Sequence, residues 1–250
     1  MPVLVVSNAK GGVAKTTTTV SLGAALAIAG YSTLVIDTDF QANATTSLGI
    51  TDYKPCLKEV YLSGGELESI IVQTCVPKLD LVPASLELIN LQNLPDLTWL
   101  RNRVKQLPSS YQFVILDTSA AFSPLTVSCL IAAEHVIIPV QPHPLAVEGV
   151  YSLIEILAAT RRNYDSATIL GILLTKVARK EKGVQEVVQK LRSKLGHLVF
   201  NTEIPESAKQ PISTNLHQPI FYTSPRSSSA LAYKRFCKEL LQKLQIDVLL

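Results

Sequence analysis

Two lysines and a pair of glycines near the start of the chain could bind phosphate groups. They lie in the segment Lys10-Gly11-Gly12-Val13-Ala14-Lys15-Thr16-Thr17, which follows the apolar run Val3–Val6. A strand, a glycine-bearing turn and a helix in this order present backbone N–H groups and a helix N-terminus to phosphate. The usual spacing, G-x-x-x-x-G-K-[ST], is broken because Ala9 and Ala14 replace both glycines. Lys10 adds a second cation that could reach phosphates from another direction, or in another subunit.

Three acidic residues stand where apolar runs end. Asp37 and Asp39 close the second run of the chain, and Asp117 closes the fourth. If these runs are strands beside the first one, the carboxylates lie next to Lys15. A carboxylate there could hold Mg²⁺ through its waters, or orient a water for attack on a γ-phosphate. Together with the loop, the three residues predict a nucleotide site rather than ordinary turn residues.

Short β-branched runs alternate with helical patterns along the chain. Strands are predicted over residues 3–7, 33–37, 79–82, 113–117, 135–140, 168–175 and 198–201. Helices are predicted over residues 16–29, 86–106, 145–161, 184–195 and 227–244, and residues 48–78 are predicted to form loops and short helices. The strands are apolar throughout, as parallel strands covered on both faces are. The pattern therefore predicts an α/β fold, with a doubly wound, mostly parallel sheet flanked by helices in one domain over residues 1–250.

Composition argues against several other classes of protein. Hydrophobic residues make up 47% of the chain and charged residues 17%, enough for a large core. Apolar runs are interrupted before the roughly 18 residues that a membrane-spanning helix needs. The first residues carry no basic segment of the kind that opens a secretory signal. The four cysteines have no metal or redox spacing, which favours reduced residues in the cytoplasm.

The net charge of +3 conceals an asymmetry. Residues 1–160 contain 8 Lys/Arg and 13 Asp/Glu, a charge of −5, whereas residues 161–250 contain 15 and 7, a charge of +8. A basic last third suggests a polyanionic partner, although solvated helix faces would give the same composition.

Taken together, the motifs resemble those of the ParA-type partition ATPases, in the deviant-Walker-A group of P-loop NTPases that also contains MinD. The resemblance rests on the phosphate loop, on the segment from Asp37 to Ala44, and on Asp117 with its apolar run. Weaker matches at Ile138-Pro139-Val140-Gln141, Val147-Glu148-Gly149 and Ile204-Pro205 extend it from residue 3 to about residue 235. The nitrogenase-reductase branch does not fit, because its cluster-binding cysteines are missing.

The resemblance implies a Mg²⁺-dependent ATPase, slow and stimulated by a partner, with roles for particular residues. Lys15 would bind the β- and γ-phosphates, and Lys10 would reach the partner's ATP across a nucleotide-sandwiched homodimer. Asp39 would position the attacking water. The Mg²⁺ ion would be supported by Thr16, Asp37, Asp39 and Asp117. The nucleotide would be bound by the loop from Lys10 to Thr17, with its adenine near Thr175, Lys176, Pro205 and Glu206.

Some positions depart from the family pattern. Ala14 replaces a glycine, which adds a methyl group and narrows the allowed backbone range; binding need not suffer if this position is not at positive φ. Phe40 and Ala42 replace a proline and a glycine, and Ser119-Ala120 replaces a Pro-Pro pair after Asp117. A nucleotide-binding scaffold with negligible turnover therefore remains an alternative.

Within the group, the segment Gln41-Ala42-Asn43 is ParA-like, whereas MinD has a different sequence there. The alternative is a MinD-like ATPase that works on a membrane surface. It would need residues 240–250 to form an amphipathic membrane helix, but we favour an apolar stripe packed on the sheet.

A ParA-like protein would bind nonspecific DNA, so a cytoplasmic, nucleoid-associated location is expected. Its cargo would be a plasmid, a chromosome origin or a protein assembly such as a carboxysome, and an adaptor protein on that cargo would stimulate hydrolysis. The candidate DNA contacts would touch phosphates rather than bases. They are Arg179, Lys180, Lys182, Lys209, Arg226, Lys234 and Arg235.

Overall fold

The computed structural model describes residues 1–51, 55–91, 94, 96–120, 123–144, 146–178 and 180–246. Within them, eight strands form one sheet. The strands are β1 Val3–Val6, β2 Thr33–Asp37, β3 Val72–Gln73, β4 Leu79–Val82, β5 Phe113–Asp117, β6 His135–Val140, β7 Thr168–Val177 and β8 Val199–Pro205. Their order across the sheet is β3-β4-β2-β5-β1-β6-β7-β8, and every pairing is parallel except that of β3 with β4. The predicted fold class is confirmed.

Helices connect the parallel strands. They are α1 Lys15–Ile28, α2 Asn43–Ser47, α3 Leu57–Ser63, α4 Trp99–Val104, α5 Pro124–Ala132, α6 Ala146–Asn163, α7 Lys182–Leu195, α8 Lys209–Asn215, α9 Ile220–Thr223 and α10 Ser228–Lys243. Short 3-10 helices span Leu67–Ile70, Leu86–Asn90 and Gly196–Leu198. No helix among the described residues is both long and apolar enough to cross a membrane.

The hydrophobic core lies on both faces of the sheet because side chains alternate along each strand. In β1, Val3 and Val5 pack in one cluster, which is completed by α4, α5, α6 and α7. Leu4 and Val6 pack in the other, where α1 and α10 cover the sheet. Continuous burial on both faces explains why the strands are apolar at every position.

The predicted elements agree with most of the structure. All seven predicted strands are present, and β3 lies in the segment that was predicted to be irregular. The helix predicted over residues 86–106 is wrong: a 3-10 helix and α4 lie there instead, and residues 92, 93 and 95 are outside the described part of the chain. Residue 95 is a proline, which has no N–H to donate within a helix.

The basic last third of the chain occupies one side of the sheet. Residues 161–250 contribute β7 and β8, which end the strand order, together with helices α7 to α10. The acidic residues 1–160 contribute the other six strands. The net positive charge of the sequence therefore lies on the side of the molecule that contains β7 and β8.

Candidate nucleotide site

The three acidic residues come together because β2, β5 and β1 are neighbours. Asp37 pairs with Asp117 in register between β2 and β5, and Asp117 pairs with Val6 at the end of β1. The loop before α1 starts at that same strand edge. Ligands of doubly wound sheets bind at the carboxyl ends of strands, and this is where the candidate residues meet.

Lys15 is held inside the loop. Its Nζ donates to the carbonyl oxygens of Asn8 at 3.0 Å and Lys10 at 3.1 Å, and only 7% of the residue is exposed. Burial lowers the pKa of Lys15, and the negative charges of Asp117 and Asp39 oppose this shift. The ammonium is thus placed at the helix start with weak, exchangeable partners.

Asn8 is a site residue that the sequence analysis did not single out. Its Oδ1 accepts from the backbone N–H of Lys10 at 3.0 Å, and its Nδ2 donates to the Pro139 carbonyl at 2.7 Å. The side chain therefore ties the start of the loop to the end of β6. A polar residue directly after a buried strand and before the glycines was the only available signal in the sequence.

Asp117 lies fully buried beneath α1. Its Oδ1 accepts a hydrogen bond from the Thr19 hydroxyl at 2.8 Å, while its Oδ2 has no hydrogen-bond partner among the described residues. Burial, followed by the charge of Asp37, raises the pKa of Asp117, and the hydrogen bond from Thr19 opposes the shift. An orphaned carboxylate oxygen beside Thr16 suits the water shell of a bound Mg²⁺.

Both carboxylate oxygens of Asp37 accept hydrogen bonds from within the protein. Its Oδ1 accepts from the N–H of Asp39 at 3.1 Å, and its Oδ2 accepts from the N–H and hydroxyl of Thr45 at 2.9 and 2.8 Å. Burial raises the pKa of Asp37, although these hydrogen bonds oppose the shift. The carboxylate fixes the chain that carries Asp39, whose own Oδ1 accepts from the N–H of Gln41 at 3.0 Å.

The carboxylates do not form a metal cage by themselves. No group of three or more His, Cys, Asp or Glu residues in the described ranges could hold a metal ion. Mg²⁺ commonly keeps several waters and binds through one or two carboxylates together with substrate phosphates. The hydroxyl of Thr16 and the free oxygen of Asp117 fit that arrangement, whereas the oxygens of Asp37 are already occupied.

Two alanines adopt a left-handed backbone conformation where the family pattern has glycine. Ala14 has φ 68° and ψ 38°, and Ala42 has φ 50° and ψ 36°. The left-handed region costs a residue with a Cβ atom about 1–2 kcal/mol. The condition under which Ala14 would be harmless, a negative φ, is therefore not met.

Two adjoining cavities lie above the loop. One of about 330 Å³ is bordered by Gly11, Lys15, Thr16 and Asp39, with Gln210 and Gln218 on the opposite wall. The other, of about 350 Å³, is bordered by the four residues predicted to lie near the adenine, together with Tyr233 of α10. The structure thus brings Thr175, Lys176, Pro205 and Glu206 together. The polar residues of α8 and Tyr233 had no signal in the sequence, because only the fold brings them to the loop.

The remaining candidates lie on the surface. The Lys10 ammonium is exposed and makes no hydrogen bond or ion pair within the described chain. The same holds for the described candidate DNA contacts, of which Lys234 also lies 5.9 Å from the centre of the Phe221 ring. They are Lys180, Lys182, Lys209, Arg226, Lys234 and Arg235. Arg179 lies outside the described residues.

The sequence is similar to that of partition proteins. A family model described as an AAA domain matches residues 1–169. The chromosome-partitioning ATPase Soj of Thermus thermophilus is 34% identical over 249 residues, which cover 97% of this chain and 96% of Soj. The sporulation initiation inhibitor protein Soj of Bacillus subtilis is 31% identical over 246 residues, with coverage of 95% and 97%.

Solved structures share the fold. Cobyrinic acid a,c-diamide synthase from Mycobacterium smegmatis, with a bound ATP analogue and magnesium, has a TM-score of 0.83 and 28% identity, over 98% of this chain and 96% of that chain. A complex of Cyanothece McdA, in a singly substituted form, with ATP has a TM-score of 0.87 over 100% and 98%, and its 21% identity shows a common fold alone.

Proposed function

This chain belongs to the ParA-type partition ATPases, and we propose that it couples Mg²⁺-dependent ATP hydrolysis to the positioning or segregation of a cargo. The observation that carries this proposal is the meeting of Lys15, Asp39 and Asp117 beside one phosphate loop. All 250 residues would act as one ATPase domain. ATP and Mg²⁺ are its cofactors, in keeping with the ATP analogue and magnesium bound by a structural neighbour.

Side chains and backbone groups of the loop have different proposed tasks. Lys15 exchanges its two carbonyl partners for the β- and γ-phosphates, because a desolvated ammonium gains more from phosphate oxygens than from neutral carbonyls. Backbone N–H groups from Gly11 to Thr17 donate to the same phosphates. The Thr16 hydroxyl, and Asp117 through waters, would hold Mg²⁺, which would supply positive charge near the transferring phosphoryl group.

Asp39 is proposed to orient the attacking water. It is 8% exposed at the rim of the 330 Å³ cavity, and the N–H of Gln41 fixes one of its oxygens. No hydrogen bond from the described residues reaches the other oxygen, which can therefore accept one from water. Asp37 acts through Asp39 by holding its backbone, so we propose a positioning role for it rather than direct metal ligation.

Lys10 is proposed to act in a second subunit. Its backbone is fixed by Asn8, while its ammonium extends into solvent without a partner in the described chain. A fixed backbone with a free cation suits a residue that reaches a neighbouring nucleotide. An ATP-bound homodimer would therefore place each Lys10 against the other protomer's phosphates.

Nonspecific DNA is the proposed polyanionic partner of the dimer. Lys180 and Lys182 follow β7 and Lys209 follows β8, so these three cations lie at the same edge of the sheet as the nucleotide. Exposed cations without ion pairs are free to contact phosphates and to release counterions. The protein would accordingly associate with the nucleoid until an adaptor on a plasmid, chromosome or protein assembly stimulates hydrolysis.

Three variants test the ATPase assignment. Lys15→Ala should lose ATP binding, and retained affinity would contradict the assignment of the loop. Asp39→Ala should bind ATP and accumulate as a dimer without releasing phosphate. Lys10→Ala should still bind ATP but remain monomeric in size-exclusion chromatography. Negligible phosphate release by the unmodified protein, even with DNA and its adaptor, would favour the scaffold alternative.

The membrane alternative fits the structure less well. The apolar side chains of α10, among them Phe236, Leu240 and Leu241, are buried against the sheet. Lys243 fixes the end of this helix by donating to the carbonyls of Leu170 and His197. Residues 247–250 lie outside the described chain. Flotation with anionic liposomes and ATP, compared with a DNA shift under the same conditions, separates the two functions.

A further inference from the structure

The end of β7 is joined to the phosphate loop by two side chains. The Thr175 hydroxyl donates to the Val13 carbonyl at 3.0 Å, and Lys176 Nζ donates to the Gly12 carbonyl at 2.7 Å. Consecutive residues of one strand thus bind consecutive carbonyls of the loop. We call this pair of hydrogen bonds the β7 clasp.

The β7 clasp orients two backbone N–H groups of the phosphate loop. In a trans peptide the C=O and the following N–H point in opposite directions within one plane. Holding the carbonyls of Gly12 and Val13 toward β7 therefore turns the N–H groups of Val13 and Ala14 away from it. Two of the backbone donors available to an anion are preset in this way before any ligand arrives.

Lys176 also connects the two cavities. It borders both the cavity at the phosphate loop and the cavity at Pro205 and Glu206. With its amine fixed at Gly12, the four-carbon stem must run between the two. An extended methylene chain of this kind offers an apolar face to a planar ring.

The backbone of Lys176 supports a functional interpretation. Its φ is 50°, in the left-handed region that a side chain disfavours. Such conformations persist where surrounding contacts determine them, and they concentrate at ligand sites. Lys176 thus combines a disfavoured backbone conformation with a hydrogen bond to the phosphate loop.

We propose that the β7 clasp presets the phosphate loop and that the stem of Lys176 covers the base of the bound nucleotide. Thr175 and Lys176 are thus positioning residues for the loop, and Lys176 additionally contacts the base. The proposal rests on the nucleotide site described above. It differs from a simple adenine pocket because it assigns the Lys176 amine to the loop.

Two ligands separate the parts of the proposal. Inorganic tripolyphosphate reports on the loop alone, whereas ATP reports on the loop and the base, and both affinities are measured by calorimetry. Thr175→Val and Lys176→Met each remove one hydrogen bond of the clasp and keep side-chain bulk. We expect each to weaken both ligands by the same factor, about five- to tenfold. Thr175→Ser keeps the hydroxyl and should bind like the unmodified protein.

Lys176→Ala removes the stem as well as the amine. It should weaken tripolyphosphate as much as Lys176→Met does, but weaken ATP by a further threefold or more. The matched control is Lys78→Met. Lys78 also has a left-handed backbone, with φ 67°, and donates to a glycine carbonyl, that of Gly30 at 2.8 Å, at the opposite edge of the sheet. This variant should leave both affinities unchanged.

Several results would overturn the proposal. The first is an unchanged affinity for tripolyphosphate in both Thr175→Val and Lys176→Met. The second is a loss of tripolyphosphate affinity in Lys176→Met that Thr175→Val does not share. The third is an equal affinity for ATP in Lys176→Met and Lys176→Ala. Circular dichroism confirms that each variant is folded, and Thr175→Val tests the loop independently should Lys176→Met not fold. If the unmodified protein binds neither ligand, the nucleotide site itself is wrong, and this outcome is distinct from the others.

Discussion

Thr19 and Asp117 join the first helix to the central strand of the site: the hydroxyl of Thr19 donates to Asp117 Oδ1 at 2.8 Å. Only one oxygen of the carboxylate is satisfied in this way, and Asp37 lies in register on the neighbouring strand. Burial disfavours the ionised form of both carboxyl groups, so each is stabilised by binding a proton or a further cation. A cation bound at the end of β5 would therefore be stabilised by these two carboxyl groups.

We predict that the ligand-free protein loses stability as the pH rises from about 5 to about 8. The pKa values of Asp37 and Asp117 are raised in the folded state from the ordinary 3.8. The folded state therefore holds protons that the unfolded state has released, and the associated stability disappears as the pH rises through the raised values. Urea denaturation across this range measures the effect.

Asp117→Asn removes one of the two titrations and should flatten this dependence, while Asp37 maintains the remainder. The exposed Asp165→Asn serves as the control and should keep the original slope. A slope in Asp117→Asn equal to that of the unmodified protein would show that Asp117 does not titrate in this range.

We expect Ala14→Gly to stabilise the ligand-free protein by about 1 kcal/mol, because glycine adopts φ 68° without steric cost. Ala158 provides the matched control, since it is an exposed alanine in the interior of α6. Ala158→Gly should destabilise by about 1 kcal/mol. The free energy of unfolding in urea tests both predictions. If Ala14→Gly is less stable than the unmodified protein, the backbone of Ala14 is not strained.

Thr45→Val should destabilise the protein by about 1–3 kcal/mol, because it removes two hydrogen bonds inside the core. The Thr45 hydroxyl donates to Asp37 and accepts from the N–H of Ala84 at 3.1 Å. Thermal unfolding measures the change. Thr46→Val is the adjacent control, since Thr46 is exposed and its hydroxyl donates to the carbonyl of Ala42 on the surface. Equal effects of the two substitutions would argue against the Asp37 network.

DNA binding should depend on salt in proportion to the phosphate contacts that are made. Each of Lys180→Gln, Lys182→Gln and Lys209→Gln should reduce the magnitude of the slope of log affinity against log salt by about 0.9 for every phosphate that the lost lysines of the dimer neutralise. Lys105 is an exposed cation between α4 and the start of β5, at the opposite ends of the strands from the nucleotide site. Lys105→Gln should therefore leave the slope unchanged. Filter binding with random-sequence DNA and ATP provides the measurement. An unchanged slope in all three variants would show that these lysines do not contact DNA phosphates.

The sequence predicted the strands well because burial on both faces leaves uninterrupted apolar runs. It also located the phosphate loop and the carboxylates at strand ends, since these depend on residues close together in the chain. It did not reveal the contact of Thr175 with Val13, which joins positions 162 residues apart and exists only because of the strand order. The conformation of Ala14 was equally hidden, because alanine ordinarily indicates a negative φ.

The uneven distribution of charge across the sheet gives the molecule an electric dipole. Its positive end is the side with β7 and β8, and the net negative charge lies in residues 1–160, which form the other six strands. In the field of a polyanion such a molecule is turned before it makes contact, so that its approach is already oriented. The edge bearing β3 and β4 would then face away from the polyanion.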